Sequence, residues 1–156
     1  MKFHYRVLLL AAFVIASTAC SASLSTVPAA SSDWQSYANP EAGFSIHYPS
    51  TWKMEVLADQ NSGLLHGVSL KGAEGGVEMY WGVGLGGACP EGFQTIKVAQ
   101  GELPACYVKS ADGTERWENI NKALPNASFS ARAFTADSAS SSHELVLKVI
   151  STLSFP

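Results

Sequence analysis

The sequence predicts an α+β domain, an antiparallel β-sheet with a C-terminal helix packed on one face. Three observations carry this reading. From Phe44 to Thr135, short β-prone runs recur between Gly, Pro, Asn and Asp signals, the pattern of strands joined by turns. Their connections are short and regularly spaced, which favours antiparallel over parallel pairing. The closing segment "SSHELVLKVISTLSF" instead repeats its apolar residues at helical spacing.

The N-terminal residues stand apart from this domain. Lys2, His4 and Arg6 precede the apolar run "VLLLAAFVIA", and the small residues Ser17, Thr18 and Ala19 follow it. That is the layout of a secretory signal over residues 1–19, and the run is shorter than the roughly 20 residues a membrane-spanning helix needs. Cys20 comes next, in a context that resembles a bacterial lipobox, although Ser17 stands where leucine is usual. In such a motif the cysteine is lipidated and becomes the first residue of the mature chain. Each acyl methylene buried contributes about 0.8 kcal/mol, so two or more chains hold a protein on a membrane. Residues 20–33, "CSASLSTVPAASSD", are poor in large apolar and charged groups and read as a flexible tether with about 20 Å of reach. Residues 34–156 are then one domain of ordinary size, expected on the extracytoplasmic face of a membrane through its lipid anchor.

Within the domain, Asn39, Pro40 and Gly43 predict a turn. "FSIHY" alternates, with Phe44, Ile46 and Tyr48 on one face and Ser45 and His47 on the other, and Pro49 ends the strand. Trp52 is expected in the core and His47 at the surface. Strands follow at "WKMEVL", "LLHGVSLK", "GVEMYWGVG", "QTIKVA", "PACYVK", "TERWENI" and "SFSARAFT", with Val77, Met79, Trp81 and Val83 on one face. "ADG" at 111–113 and "LPN" at 124–126 read as hairpin connections, while "TERWENINKA" between them fits a strand or a short helix. In the last segment Ser141 precedes Glu144 by three residues, a capping box. Leu145, Val146, Val149, Ile150 and Leu153 form the stripe that packs on the sheet.

Composition narrows the partners. Without residues 1–19, eight basic residues face thirteen acidic ones, a net charge of −5. No basic run interleaved with aromatics survives, which argues against nucleic acid. Cys89 and Cys106 lie in a chain bound for an oxidising compartment and match no metal or redox spacing, so a disulfide is expected. Closing that loop stabilises a fold by about 3 kcal/mol.

Chemical motifs fail on inspection. Gly82, Gly84 and Gly87 have G-x-G-x-x-G spacing, but a dinucleotide loop needs a helix to begin there, and Pro90 and Gly92 break one. "HELVL" places Leu147 where a second zinc ligand belongs. No cofactor and no metal are expected. "NAS" at 126–128 matches a glycosylation sequon that has no role in a bacterial lipoprotein. His47, His66 and His143 are scattered, so a Ser–His–Asp triad is assembled, if at all, only in space. Tyr80, Trp81 and Trp117 are candidates for a shallow ligand-binding surface, with the core as the competing location.

Asn39-Pro40, Gly43-Phe44, Ile46, Tyr48-Pro49 and Trp52 resemble the opening signature of bacterial lipoprotein domains of the PsbP-like class. "VISTLSF" is similar to the close of the same domains, and the likeness is weak between these ends. Ala42 departs from the aromatic residue often found before the glycine. The resemblance implies an α/β/α sandwich around an antiparallel sheet, the fold shared by an extrinsic subunit of photosystem II and a Ran-binding protein. It also implies binding or assisting other macromolecules rather than catalysis, with no catalytic residue carried over. The expected function is therefore a non-catalytic tethered domain that binds a protein partner or small ligand through one sheet face or the Gly82–Gly92 loop. A small extracytoplasmic hydrolase is the alternative, and a spacer role is a third.

Overall fold

Alternation along the chain sorts the side chains onto two faces of a sheet. A computed structural model describes residues 33–57, 65–82, 87–90, 92–125 and 127–156. The signal, Cys20 and nearly all of the tether, together with Val83, Gly84 and Asn126, lie outside the described residues. The strands are β1 (Trp34–Asn39), β2 (Phe44–Pro49), β3 (Lys53–Leu57), β4 (Leu65–Lys71), β5 (Gly75–Gly82), β6 (Gln94–Val98), β7 (Gly101–Lys109), β8 (Glu115–Ala123) and β9 (Ser128–Thr135), followed by α1 (Ser140–Ser151). β3 to β9 form one antiparallel sheet in the order β3-β4-β5-β9-β8-β7-β6, and β1 and β2 form a separate hairpin.

The hairpin turn follows from its residues. Asn39 Oδ1 accepts the Ala42 N–H at 2.9 Å, and Gly43 takes φ +68°, a conformation open to glycine. Phe44, Ile46 and Tyr48 are buried and His47 is exposed, as their alternation predicts. β1 has no counterpart in the sequence reading. Its partly buried Trp34 and Tyr37 stand three apart rather than two, and the strand exists because β2 pairs with it from Trp34↔Pro49 to Asn39↔Phe44.

α1 and the β1–β2 hairpin lie together on one face of the large sheet. Val146, Val149, Ile150 and Leu153 are fully buried in one core with Val68, Val77, Met79, Ile120 and Ala133, and Leu145 is partly buried. Phe44 meets Phe129 at 4.9 Å and Trp81 at 5.6 Å between ring centroids. Trp52 is 3% exposed, as expected, and its indole Nε1 donates to Glu74 at 3.2 Å. The C-terminal tail closes the layer, since Ser45 and Ser154 exchange backbone hydrogen bonds of 2.9 and 2.8 Å.

Two expectations change, and one reading left open is decided. Among the described residues α1 is the one helix, so they contain a single helical layer, on one face, and not the two of an α/β/α sandwich. The capping box does not form, because α1 starts at Ser140 and places Ser141 inside the first turn; its N-cap is Ala139, without a side-chain cap. Asp137 serves that end instead, accepting the Ala139 N–H at 3.0 Å, with the Ser142 hydroxyl also holding its carboxyl below the usual range. Residues 115–123 are a strand, paired with β7 on one side and β9 on the other. A bulge between Trp117 and Ile120 gives Asn119 a φ of +54°. That extra residue turns a two-residue repeat into a three-residue one, which is why the segment also reads as a helix.

Candidate functional site

The sheet face turned away from α1 carries charge where the other carries hydrocarbon. Val77, Met79 and Trp81 point into the core, so β5 turns Glu78 and Tyr80 to the opposite side. Register then supplies their neighbours. Lys71 ends β4 beside Gly76, Arg132 of β9 lies opposite Glu78, and Arg116 of β8 lies opposite Phe134. Glu78 is 4% exposed and fully engaged. Lys71 Nζ lies at 2.7 Å, Arg132 Nε at 2.6 Å and Nη2 at 2.5 Å, and the Tyr80 hydroxyl donates at 2.7 Å. Burial alone would raise the Glu78 pKa, but these donors outweigh it and hold the carboxyl below its usual value. Burial and the bond to Glu78 raise Tyr80.

Beside this cluster the face is concave. One cavity of about 300 Å³ is lined by Lys71, Glu78, Arg116, Glu118, Arg132 and Phe134. A second, of about 230 Å³, shares Glu118 and Arg132 and adds Tyr80, Asn119 and Ser130. Of the connection from β5 to β6, the described residues around Ala88 reach it through Asn119, which lines the cavity. Cys89 is joined to Cys106 of β7 by a disulfide, S–S 2.07 Å, which pins the crossover as the two cysteines predict. Asn119 at the β8 bulge donates to the Ala88 carbonyl at 3.3 Å. A Cβ at Gly87 would come within 2.5 Å of the Asn119 side chain, so a larger residue there would displace the Asn119 amide. Gly82 ends β5, and the chain leads from Gly87 through the pinned loop into β6 rather than into a helix.

A second cluster lies on the α1 side. Glu115 of β8, 7% exposed, accepts from the Tyr107 hydroxyl at 2.6 Å and from Lys109 Nζ at 3.2 Å, and its Oε2 meets Nδ1 of His143. Burial pushes its pKa up, but the bonds from Tyr107, His143 and Lys109 prevail and hold it at about 2. Tyr107, bonded to that carboxylate, is pushed up to about 12. His143 also packs against Trp117, ring centroids 5.4 Å apart. With Ile96, Leu147 and Lys148 the two line a groove of about 570 Å³, within the size range of small-molecule sites.

Tyr80, Trp81 and Trp117 do not share one surface. Tyr80 belongs to the charged face; Trp81 is in the core, stacked on His66 at 5.9 Å; Trp117, 7% exposed, borders the groove. His47 Nδ1 and Ser36 Oγ are 2.7 Å apart, whereas the acid is on His143. The His47 backbone bonds Thr152, at the far end of α1, nine residues from His143, or about 13 Å along a helix. No single imidazole of this pair holds both a serine and an acid. Sequence reasoning missed Glu78, Arg132, Glu115 and Arg116. The detectable signal was Glu78, an acid in the middle of an otherwise apolar strand.

No protein-family model matches the chain, and no curated protein matches it. Among solved structures, a crystal structure from Bacteroides thetaiotaomicron is similar at 15% sequence identity and a TM-score of 0.45, covering 78% of this chain and 48% of that one. The chain thus spans about half the length of that protein.

Proposed function

We propose that the protein is a non-catalytic, membrane-tethered extracytoplasmic lipoprotein with a PsbP-like domain. It binds a protein partner or small ligand through its charged sheet face and the Gly82–Gly92 crossover, in an accessory or assembly role. The observation that carries this is the engagement of Glu78. A buried carboxylate that orients Lys71, Arg132 and Tyr80 around an open concavity is a preorganised recognition surface. The N-terminal signal pattern and Cys20 support the tether, and the disulfide is compatible with an oxidising compartment.

The test is crosslinking capture by the full chain, with Cys20→Ala and Ser130→Arg as variants. Ser130 is on the charged face, so arginine there obstructs the surface without entering the core. A specific partner or ligand lost with Ser130→Arg supports the reading; capture indifferent to that substitution sinks it. Incorporation of labelled fatty acid in the parent and not in Cys20→Ala checks the anchor.

The hydrolase reading has one observation in its favour, His143 held on Glu115 beside a groove. A buried carboxylate orients an imidazole in that way in acid–base catalysis. Ester, peptide or glycan hydrolysis abolished by His143→Ala would establish it.

A further inference from the structure

We infer that the concavity on the charged face binds an oxyanion, a phosphate or carboxylate group, between Arg116 and Arg132. The inference rests on that face being the binding surface. The chain has three arginines, Arg6, Arg116 and Arg132. Both that belong to the domain line this one cavity, together with Lys71. Three cations there, Lys71, Arg116 and Arg132, meet two acids, Glu78 and Glu118, leaving a local charge of +1 on a chain whose net charge is −3. The cavity is thus positive against the charge of the whole.

The two guanidinium groups are in different states, and the difference defines the site. Arg132 spends Nε and Nη2 on Glu78, which fixes its plane. Arg116 is paired with Glu118 at a distance, Nε 3.7 Å from Oε1 and both side chains half-exposed, and Asp112 feels its charge without a contact between them. The separation from Glu118 is longer than a hydrogen bond, and the pair is weak because it is exposed. Among the described residues no carboxylate sits on its Nη atoms. Because Arg116 lies opposite Phe134, Arg132 is its diagonal neighbour across the strands, a spacing of about 7–8 Å. An oxyanion entering between them takes two N–H groups from the free fork of Arg116, the geometry arginine offers to carboxylate and phosphate. It also displaces the loose contact to Glu118.

The full chain carrying Cys20→Ala, titrated with inorganic phosphate and with malonate by calorimetry, is expected to bind at least one of them saturably. Arg116→Gln leaves Glu78 and its partners in place, and is expected to weaken binding about tenfold or more. Arg116→Lys restores part of the loss, since an ammonium has no planar fork. Glu118→Gln tightens binding by freeing Arg116, and Glu144→Gln, on the opposite face, leaves it unchanged. Sedimentation with phosphatidylglycerol vesicles, against phosphatidylcholine, separates the sources. Arginine-dependent binding to these vesicles alone assigns the oxyanion to a lipid headgroup, and binding to the free anions assigns it to a soluble ligand. No saturable binding to phosphate, malonate or the anionic vesicles, or binding indifferent to Arg116→Gln and Glu118→Gln, overturns the inference. Partner capture that survives Arg116→Gln but fails with Ser130→Arg overturns the oxyanion site and leaves the binding surface standing.

Discussion

Glu115 of β8 and His143 in the first turn of α1 are joined through Oε2 and Nδ1, a contact across 28 residues that ties the helix N-terminus to the sheet. The same carboxylate takes Tyr107 and Lys109. Removing its charge while keeping its shape therefore weakens three contacts. Glu115→Gln is expected to destabilise the domain by about 1–2 kcal/mol, the range for charge-assisted bonds among partly exposed partners. Chemical denaturation at neutral pH measures it.

The acid limb of the stability curve follows from the same group. The Glu115 pKa falls on folding from 4.5 to about 2, and Glu78 is lowered as well. A carboxyl depressed in the native state contributes stability above its unfolded pKa and loses it as pH falls through the folded one. Stability is thus expected to decline between about pH 4.5 and pH 2. The slope of unfolding free energy against pH in that window should be shallower in Glu115→Gln; an unchanged slope would contradict the assignment.

Reducing Cys89–Cys106 frees the crossover from β7. With a sequence separation of 17 residues, the loss is expected to be about 3 kcal/mol. A lower melting temperature for Cys89→Ser/Cys106→Ser, matched by the parent in reductant, is the check.

Two glycines separate backbone strain from steric clash. Gly75 has φ +150° and Gly101 φ +134°, so alanine is strained at both, by about 1–3 kcal/mol. A Cβ at Gly75 would lie 2.1 Å from the Phe134 carbonyl oxygen, whereas one at Gly101 meets nothing within 4 Å. Gly75→Ala is expected to be markedly the more destabilising, measured by thermal melts of the two variants.

Much of the fold was legible because strands and helices announce themselves by period. Phe44, Ile46 and Tyr48 at two-residue spacing, and Val146, Val149 and Ile150 at helical spacing, are buried as predicted. Legibility failed where pairing overrode local pattern. β1 has no alternation of its own, and the β8 bulge imitates a helical repeat. The site was less legible still, because its chemistry lies in pairs rather than motifs.

By itself the sequence determined an antiparallel α+β domain, the Cys89–Cys106 bridge, and the face of β5 that carries Val77, Met79 and Trp81. Alternation is a local property, and two residues suffice to set it. Which side chains meet across the strands was decided only by the tertiary structure. β9 returns to pair with β5, so Arg132 comes to Glu78 over 54 residues, and α1 settles on the sheet so that His143 comes to Glu115. Those neighbours are set by burial of the shared apolar core on the other face of the sheet, a property of the assembled layers that no single segment carries.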